Sequence, residues 1–340
     1  MRYHTIKAAA LIGFLSVLSA GIAAPAFADE ADFYKGKTVT YVAATSPGGG
    51  YDFYGRLVSR FMEKHMPGTT FVVKNVPGAG HIIGANFIYA SKPDGLTMGI
   101  FNTGLVYAQI SQMAGVKFDL GKMSWIGKAS SDPRVLVLSK ESKFKTFQDI
   151  RSSSTPIKVS IGGVGSAAYS ETMMVARAFD LKVNIIPGYF GGDSEMAMRR
   201  GEIDANLGAL STYEPFVKGG YGHYALQIGG EPMPGVPQAD KLADTPDGKA
   251  LIALVHSQAE ISRLTAGPPG IPPARLEYLR AAYRKALEDP ELREQATKGG
   301  DRPVQPLYGE EVAERVRAAL NQPPELVSFI REVTQPEKKK

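Results

Sequence analysis

The segment Ser46-Pro-Gly-Gly-Gly-Tyr-Asp52 constrains this chain more than any other, because it joins two stretches of different periodicity. Before it, Thr38-Val-Thr-Tyr-Val-Ala-Ala44 alternates and is β-branched, which predicts a strand. After it, Phe53, Leu57, Val58, Phe61 and Met62 fall on one face of a helix. Three glycines at such a junction permit a tight turn with free N–H groups pointing outward. The first turn of a helix leaves its donors unpaired and its end partly positive, so the junction suits an anion without a lysine or arginine. A plain strand-to-helix turn fits the same residues, and the motif alone does not separate the two readings.

The N-terminus predicts export. Arg2, His4 and Lys7 precede an apolar run from Ala8 to Ala24, and Ala26-Phe27-Ala28 is a small-x-small cleavage signature. The run is shorter than the ~20 residues of a spanning helix. The expectation is a signal peptide over residues 1–28, cleaved after Ala28. The chain has no cysteine, which removes a lipid anchor on a mature N-terminal cysteine, disulfides and thiolate chemistry. The mature protein should therefore be free in an extracytoplasmic, periplasmic space. It keeps about 310 residues, enough for two domains with real cores.

The formal charge of +5 overstates how basic that body is. Arg2 and Lys7 leave with the leader, which takes the 39 basic residues to 37 against 34 acidic ones. Lys338, Lys339 and Lys340 account for the remaining +3, so the rest is balanced. A basic stripe for nucleic acid is not there to be found.

Strands and helices alternate along the chain, which predicts an α/β architecture. A first series runs through strands at 38–44, 70–74, 97–101 and 125–129. A second runs through 135–138, 157–161, 183–186, 203–207 and 224–228. Residues 231–248 are rich in Pro, Asp and Gly and read as a surface connection. From Pro272 the pattern is helical, with Leu276, Leu279, Tyr283 and Leu287 as a core stripe.

Two loops imitate the dinucleotide fingerprint, Gly78-Ala-Gly-His-Ile-Ile-Gly84 and Gly163-Val-Gly-Ser-Ala-Ala168. That fingerprint also wants an acidic residue at the end of the next strand. Those strands end at Phe101-Asn102 and Ile186-Pro187, without a carboxylate. No catalytic constellation emerges either. His65, His81, His223 and His256 show no metal spacing and read as surface or structural residues, and Ser166 has no histidine partner by spacing. Neither a metal, a cofactor nor an enzymatic activity is expected. What remains is a set of loops at the C-terminal ends of strands in two α/β units, the edge where open α/β sheets bind ligands.

In this order and spacing the motifs resemble the periplasmic solute-binding receptors of tripartite tricarboxylate transporters, the TctC or Bug-type family. The resemblance covers nearly all of the mature chain. It is carried by Lys37-Thr-Val-Thr40, Pro47-Gly-Gly-Gly-Tyr-Asp52, Asn75-Val-Pro-Gly-Ala-Gly80, Pro93-Asp-Gly95 and Asn102-Thr-Gly104. The second half adds Gly163-Val-Gly-Ser166, Pro187-Gly-Tyr189, Gly201-Glu-Ile-Asp204 and Ala266-Gly-Pro-Pro-Gly-Ile-Pro272. The family implies a type II-like periplasmic binding protein, two α/β lobes with a ligand cleft between them. It implies a first lobe of residues 29–130 plus 228–340, an inserted lobe of residues 131–227, and crossovers near Ser130 and Gln227. It also implies capture of a small organic carboxylate for membrane permease subunits, without catalysis; a monomer is the default state.

By motif, the ligand contacts implied are Ser46, Gly49, Gly50, Tyr51, Asp52, Asn102, Thr103, Gly165, Ser166, Ala167 and Tyr189. The chain departs from the family pattern at Tyr51, in place of a small residue, at Gly208, in place of an aspartate, and at Tyr169, in place of a histidine. Tyr51 either lines the cleft or covers the outer face. Arg134 is either a bidentate carboxylate clamp or a surface residue, and Asp52 is a capping residue or a solute acceptor. Two other classes stay open from the residues alone: an exported hydrolase or lyase in the same cleft, and a sensory protein that docks a membrane kinase.

Overall fold

The computed structural model describes residues 23–163, 166–189, 192–300 and 302–334. Most of the signal segment, and Gly165 of the expected ligand contacts, lie outside these. The first described helix, α1 (Ala23–Tyr34), runs across the Ala28 cleavage signature.

A first run comprises β1 (Thr38–Ala43), α2 (Gly50–His65), β2 (Thr70–Asn75), α3 (Ile82–Tyr89), β3 (Thr97–Phe101), α4 (Gly104–Ile110) and β4 (Ser124–Lys128). A second comprises β5 (Arg134–Ser139), α5 (Phe147–Ser152), β6 (Ile157–Ile161), α6 (Ala167–Ala178), β7 (Val183–Pro187), α7 (Asp193–Arg199) and β8 (Ala205–Ala209). It continues with α8 (Leu210–Lys218), β9 (Gly222–Ile228), α9 (Ala239–Leu242) and α10 (Pro246–Glu260). The chain closes with β10 (Leu264–Gly267), α11 (Pro273–Glu288), α12 (Pro290–Lys298), β11 (Leu307–Tyr308), α13 (Gly309–Leu320) and α14 (Pro324–Thr334).

These strands form two mixed sheets, a six-stranded one in the order β11-β4-β10-β3-β1-β2 and a five-stranded one in the order β7-β6-β8-β5-β9. β1 is parallel to β2 and β3, with a helix in each connection, while β10 lies antiparallel between β3 and β4. In the other sheet β6 is parallel to β7 and β8, and β5 is antiparallel to β8 and β9. The chain thus passes from one sheet to the other between Lys128 and Arg134 and re-enters the first at Leu264.

The residue pattern did not predict α5, α8, α9 or α10. α10 opens with Thr245-Pro-Asp-Gly248, which reads as a turn. In fact Thr245 caps the helix, its hydroxyl accepting from the Gly248 amide, and Pro246 fills a first-turn position that needs no N–H. Leu251, Leu254 and Val255 then bury one face, and α10 packs against α6 and β9. α8 carries Pro215 in its interior, a signal that argues against a helix until burial of Phe216 outweighs it.

The largest hydrophobic cluster includes Val42, Phe101 and Leu105 from the first sheet region with Leu136, Val159 and Val175 from the second. The two units therefore share apolar contact along one seam. α2 and α11 pack over the other face of the six-stranded sheet through Leu57, Phe61, Leu279 and Tyr283.

Candidate solute site between the two sheets

At the end of β1, Ser46 and Gly49 are exposed, and Gly50 and Tyr51 are half-buried. Gly49 caps α2 in an extended conformation without any side-chain acceptor. Asp52 is buried and ties the loop to α2 and to the end of β2. Its Oδ2 accepts from the Gly48 amide at 3.0 Å and from Arg56 Nε at 3.1 Å, and its Oδ1 from Asn75 Nδ2 at 2.8 Å. Arg56 Nη2 lies 2.9 Å from the same Oδ1. Burial works against ionisation of this carboxyl, but the donors from Arg56, Gly48 and Asn75 outweigh it and hold Asp52 below its ordinary value. Both oxygens are thus occupied by the protein's own donors.

Arg263, the last residue before β10, lies 3 % exposed against this loop. Its Nη2 stands 3.1 Å from where a Cβ at Gly50 would be, and Arg302 Nη1 stands 3.3 Å from the same point. Only a residue without a side chain lets both guanidinium groups approach the start of α2 so closely. The Tyr51 ring lies over Arg263 at 4.3 Å and meets the His81 ring edge-on at 5.1 Å. Arg263 has a left-handed backbone, φ 59°, and so does His81, φ 79°. Non-glycine residues held there usually serve the site they build.

The opposite wall comes from the segment that joins the sheets and from β5, α6 and α8 of the second unit. Asp132 Oδ2 accepts from Arg263 Nη2 at 2.9 Å and from the Ser211 hydroxyl at 2.6 Å, and Oδ1 accepts from the Ser211 amide at 3.1 Å. Asp132 therefore caps the start of α8 while it balances Arg263. Next to it, Arg134 Nε donates to both oxygens of Glu171, at 3.1 and 2.9 Å. Arg134 and Glu171 are 4 % and 1 % exposed. Burial opposes the Arg134 charge, but Glu171 and the other acidic groups around it more than offset this, so the guanidinium stays ionised. Arg134 is thus not a surface residue, and its charge is already matched.

Five of the seven buried polar side-chain atoms without a partner, among the described residues, gather along this seam: His81 Nδ1, Asn102 Oδ1, Thr103 Oγ1, Tyr107 OH and Arg263 Nε. Buried polar groups are nearly always hydrogen-bonded, and each unpaired one costs about 1–3 kcal/mol, so such a concentration calls for a polar guest. His81 stays neutral, its pKa pushed down to about 4 by burial and by the Arg263 charge.

The lobes meet closely where the other expected residues stand. A Cβ on Gly104, which follows Asn102 and Thr103, would lie 2.9 Å from Ala167 Cβ. Ser166 caps α6: its hydroxyl donates to the Gly163 carbonyl and accepts from the Tyr169 amide. Tyr189 is half-buried and packs on the cluster of Val135, Val137 and Met198. Beside Gly208, where the family pattern has an aspartate, Tyr213 takes the space, its ring 3.0 Å from the position of a Cβ. Residues that the sequence did not single out are Asp132, Glu171, Tyr107, Arg263 and Arg302, and His81 belongs to the seam. Asp132, Ser211 and Arg263 lie far apart in the chain, so no spacing reveals them.

Two mixed α/β sheets joined at a polar seam define a two-lobed periplasmic binding protein. The family model of the tripartite tricarboxylate transporter family receptor, TctC, matches residues 55–318, and the chain belongs to that family. Its members are periplasmic solute-binding receptors, not enzymes. A protein from the TAR-I ttuE-ttuC' intergenic region of Agrobacterium vitis is 25 % identical over 299 residues, 86 % of this chain and 83 % of that protein. MatC from Rhodopseudomonas palustris, solved with bound malate, superposes with a TM-score of 0.69 at 22 % identity, over 88 % of this chain and 99 % of its own. The periplasmic binding protein BugD gives a TM-score of 0.70 at 17 % identity, over 88 % and 98 % of the two chains.

Proposed function

We propose that this receptor captures a small organic carboxylate in the seam between its lobes and delivers it to the membrane permease subunits of a tripartite transporter. The observation that carries the reading is the set of unpaired buried polar atoms along the seam, two of which, on His81 and Arg263, belong to residues that lie against the loop opening α2. An anion placed there can accept from the Thr103 and Tyr107 hydroxyls and from Arg263 Nε, and water can bridge the acceptor-only Asn102 Oδ1. That MatC holds malate supports a carboxylate as the solute class. Ser46, Gly49, Gly50, Tyr51, Asn102, Thr103, Ser166 and Ala167 then belong to the two mouths of the cleft. Asp52 holds the loop in place.

The expected division is a lobe of residues 29–130 plus 228–340 and an inserted lobe of residues 131–227. The packing of α10 on α6 and β9 supports carrying the inserted lobe on to the end of α10. The hinge segments are then 129–133 and 261–263, bound together by the Arg263–Asp132 pair and the Asp132 amide bond to the Ala259 carbonyl. Export is by the leader, with cleavage after Ala28.

The test is native mass spectrometry of protein purified without unfolding, followed by thermal shift with a panel of organic acids. A retained or added carboxylate raises the melting temperature by mass action. No stabilisation by any acid of the panel defeats the proposal.

A further inference from the structure

The helix α3, Ile82-Ile-Gly-Ala-Asn-Phe-Ile-Tyr89, carries no charged residue. Ile82, Ala85 and Ile88 face the core. The opposite side is apolar too: Ile83 and Phe87, one turn apart, are 50 % and 40 % exposed. Val72 of β2 is also 50 % exposed. Lys74 lies on the same face of β2 as Val72, and its Nζ stands 4.8 Å over the Phe87 ring, which joins strand and helix into one patch. A helix that is apolar all round is ordinarily covered all round, and a contiguous exposed apolar surface marks an interaction site.

We propose that the face formed by Val72, Lys74, Ile83 and Phe87 is the docking surface for the transporter's permease, and that it takes an extracytoplasmic segment with apolar side chains and an acidic rim. This rests on the receptor reading above. Charge, hydrogen bonding and position each narrow the occupant. Lys74 sits in the patch, Lys92 follows α3, and the Lys117 amide donates to Asn86 Oδ1 of α3 at 2.9 Å, so the rim is basic. A second copy of the chain would set lysine against lysine, whereas an acidic partner is attracted. β2 is the last strand of its sheet. The Thr70 and Val76 amides donate inward, to the Lys37 and Ala43 carbonyls, so the alternation turns Phe71 and Val73 outward. Glu63 already accepts from the Phe71 amide at 2.7 Å, while the Val73 amide and carbonyl point to the open side. A protein strand can pair with such an edge; a lipid surface leaves it without partners. The patch also runs up to the cleft. Ile83 Cδ1 lies 2.5 Å from where a Cβ on Gly78 would be, and His81, three residues on from Gly78, meets the Tyr51 ring. A partner seated on α3 therefore lies beside the mouth from which the solute leaves.

Co-sedimentation of the exported chain with vesicles that hold the permease subunits of a tripartite tricarboxylate transporter tests the proposal, with empty vesicles of phosphatidylethanolamine and phosphatidylglycerol as the second arm. The expected result is binding to the permease vesicles at least tenfold above that to the empty ones. Ile83→Gln/Phe87→Gln should weaken it at least tenfold. Lys74→Glu should weaken it at least threefold, and by more at low salt than at high. All three side chains are exposed, so the melting temperature and the affinity for carboxylates should stay as in the unaltered chain. Equal binding of the double variant and the unaltered chain overturns the proposal, as does loss of carboxylate affinity together with docking. Equal binding to empty vesicles assigns the patch to a lipid surface, and dimerisation in the ultracentrifuge that Ile83→Gln/Phe87→Gln abolishes assigns it to a second copy; either overturns the permease. Failure to bind permease vesicles while carboxylates still bind overturns the docking face and leaves the receptor reading intact. Failure to bind either overturns both.

Discussion

Asp132 and Arg263 come from the two chain segments that join the sheets, and they meet in an ion pair of 2.9 Å, with side chains 2 % and 4 % exposed. The same Asp132 caps α8 through Ser211. One carboxylate thereby fixes a hinge, a helix start and the guanidinium that faces Gly50.

Replacing Asp132 with Ala should be strongly destabilising, because it leaves Arg263 buried without its carboxylate and uncaps α8. Breaking one side of a buried pair typically costs about 3–5 kcal/mol. Urea unfolding of Asp132→Ala should show a loss of that order, and a loss under about 1 kcal/mol would mean that the pair is not structural.

Asp52→Asn should remove about 1–3 kcal/mol at neutral pH, since four donors converge on the carboxylate. The folded-state pKa is depressed, so the contribution is present above the unfolded value of about 4 and disappears as pH falls through the folded one. Unfolding curves of the two proteins should therefore converge below about pH 4.

His81 titrates with the opposite consequence for its charge. It is neutral when folded, with a pKa of about 4, and charged when unfolded below about 6.5. Between those values the unfolded chain binds more protons, so stability falls as pH drops through this window, by at most roughly 3 kcal/mol. His81→Asn, which tolerates the left-handed backbone, should flatten that part of the profile.

Gly50→Ala separates folding from binding. Alanine suits the first turn of α2, so stability should stay within about 1 kcal/mol. Its methyl would press on Arg263 Nη2 and Arg302 Nη1 at 3.1 and 3.3 Å, so carboxylate affinity by calorimetry should drop tenfold or more. Unchanged affinity would place the solute elsewhere.

Tyr51→Thr should weaken binding about 3- to 30-fold, since the ring holds the Arg263 guanidinium at 4.3 Å and such contacts are worth about 0.5–2 kcal/mol. Equal affinity in the variant would make Tyr51 a cover only.

Much of the fold could be read from periodicity. The strand at Thr38, the helix behind the glycine loop and the helix from Ala167 lie where the residue pattern puts them. α10 and α8 were missed because Thr-Pro-Asp-Gly and an interior proline carry local signals that burial overrides. Gly84 looked like part of a dinucleotide loop; its place is explained by packing, with a Cβ there only 2.5 Å from Ala44 Cβ. Of the expected site, the loops at Gly50 and at Asn102-Thr103 face the seam, whereas Asp52 turned inward to serve its own loop.

The sequence by itself determined the α/β class, the two glycine-lined strand ends and the absence of any cysteine chemistry, because these follow from local periodicity, backbone freedom and composition. Only the tertiary structure decided the charges at the seam. Asp132, Glu171, Arg134, Arg263 and Arg302 lie far apart along the chain and show no local pattern. Their meaning comes from shared burial, where a low dielectric makes each partner, or the want of one, count.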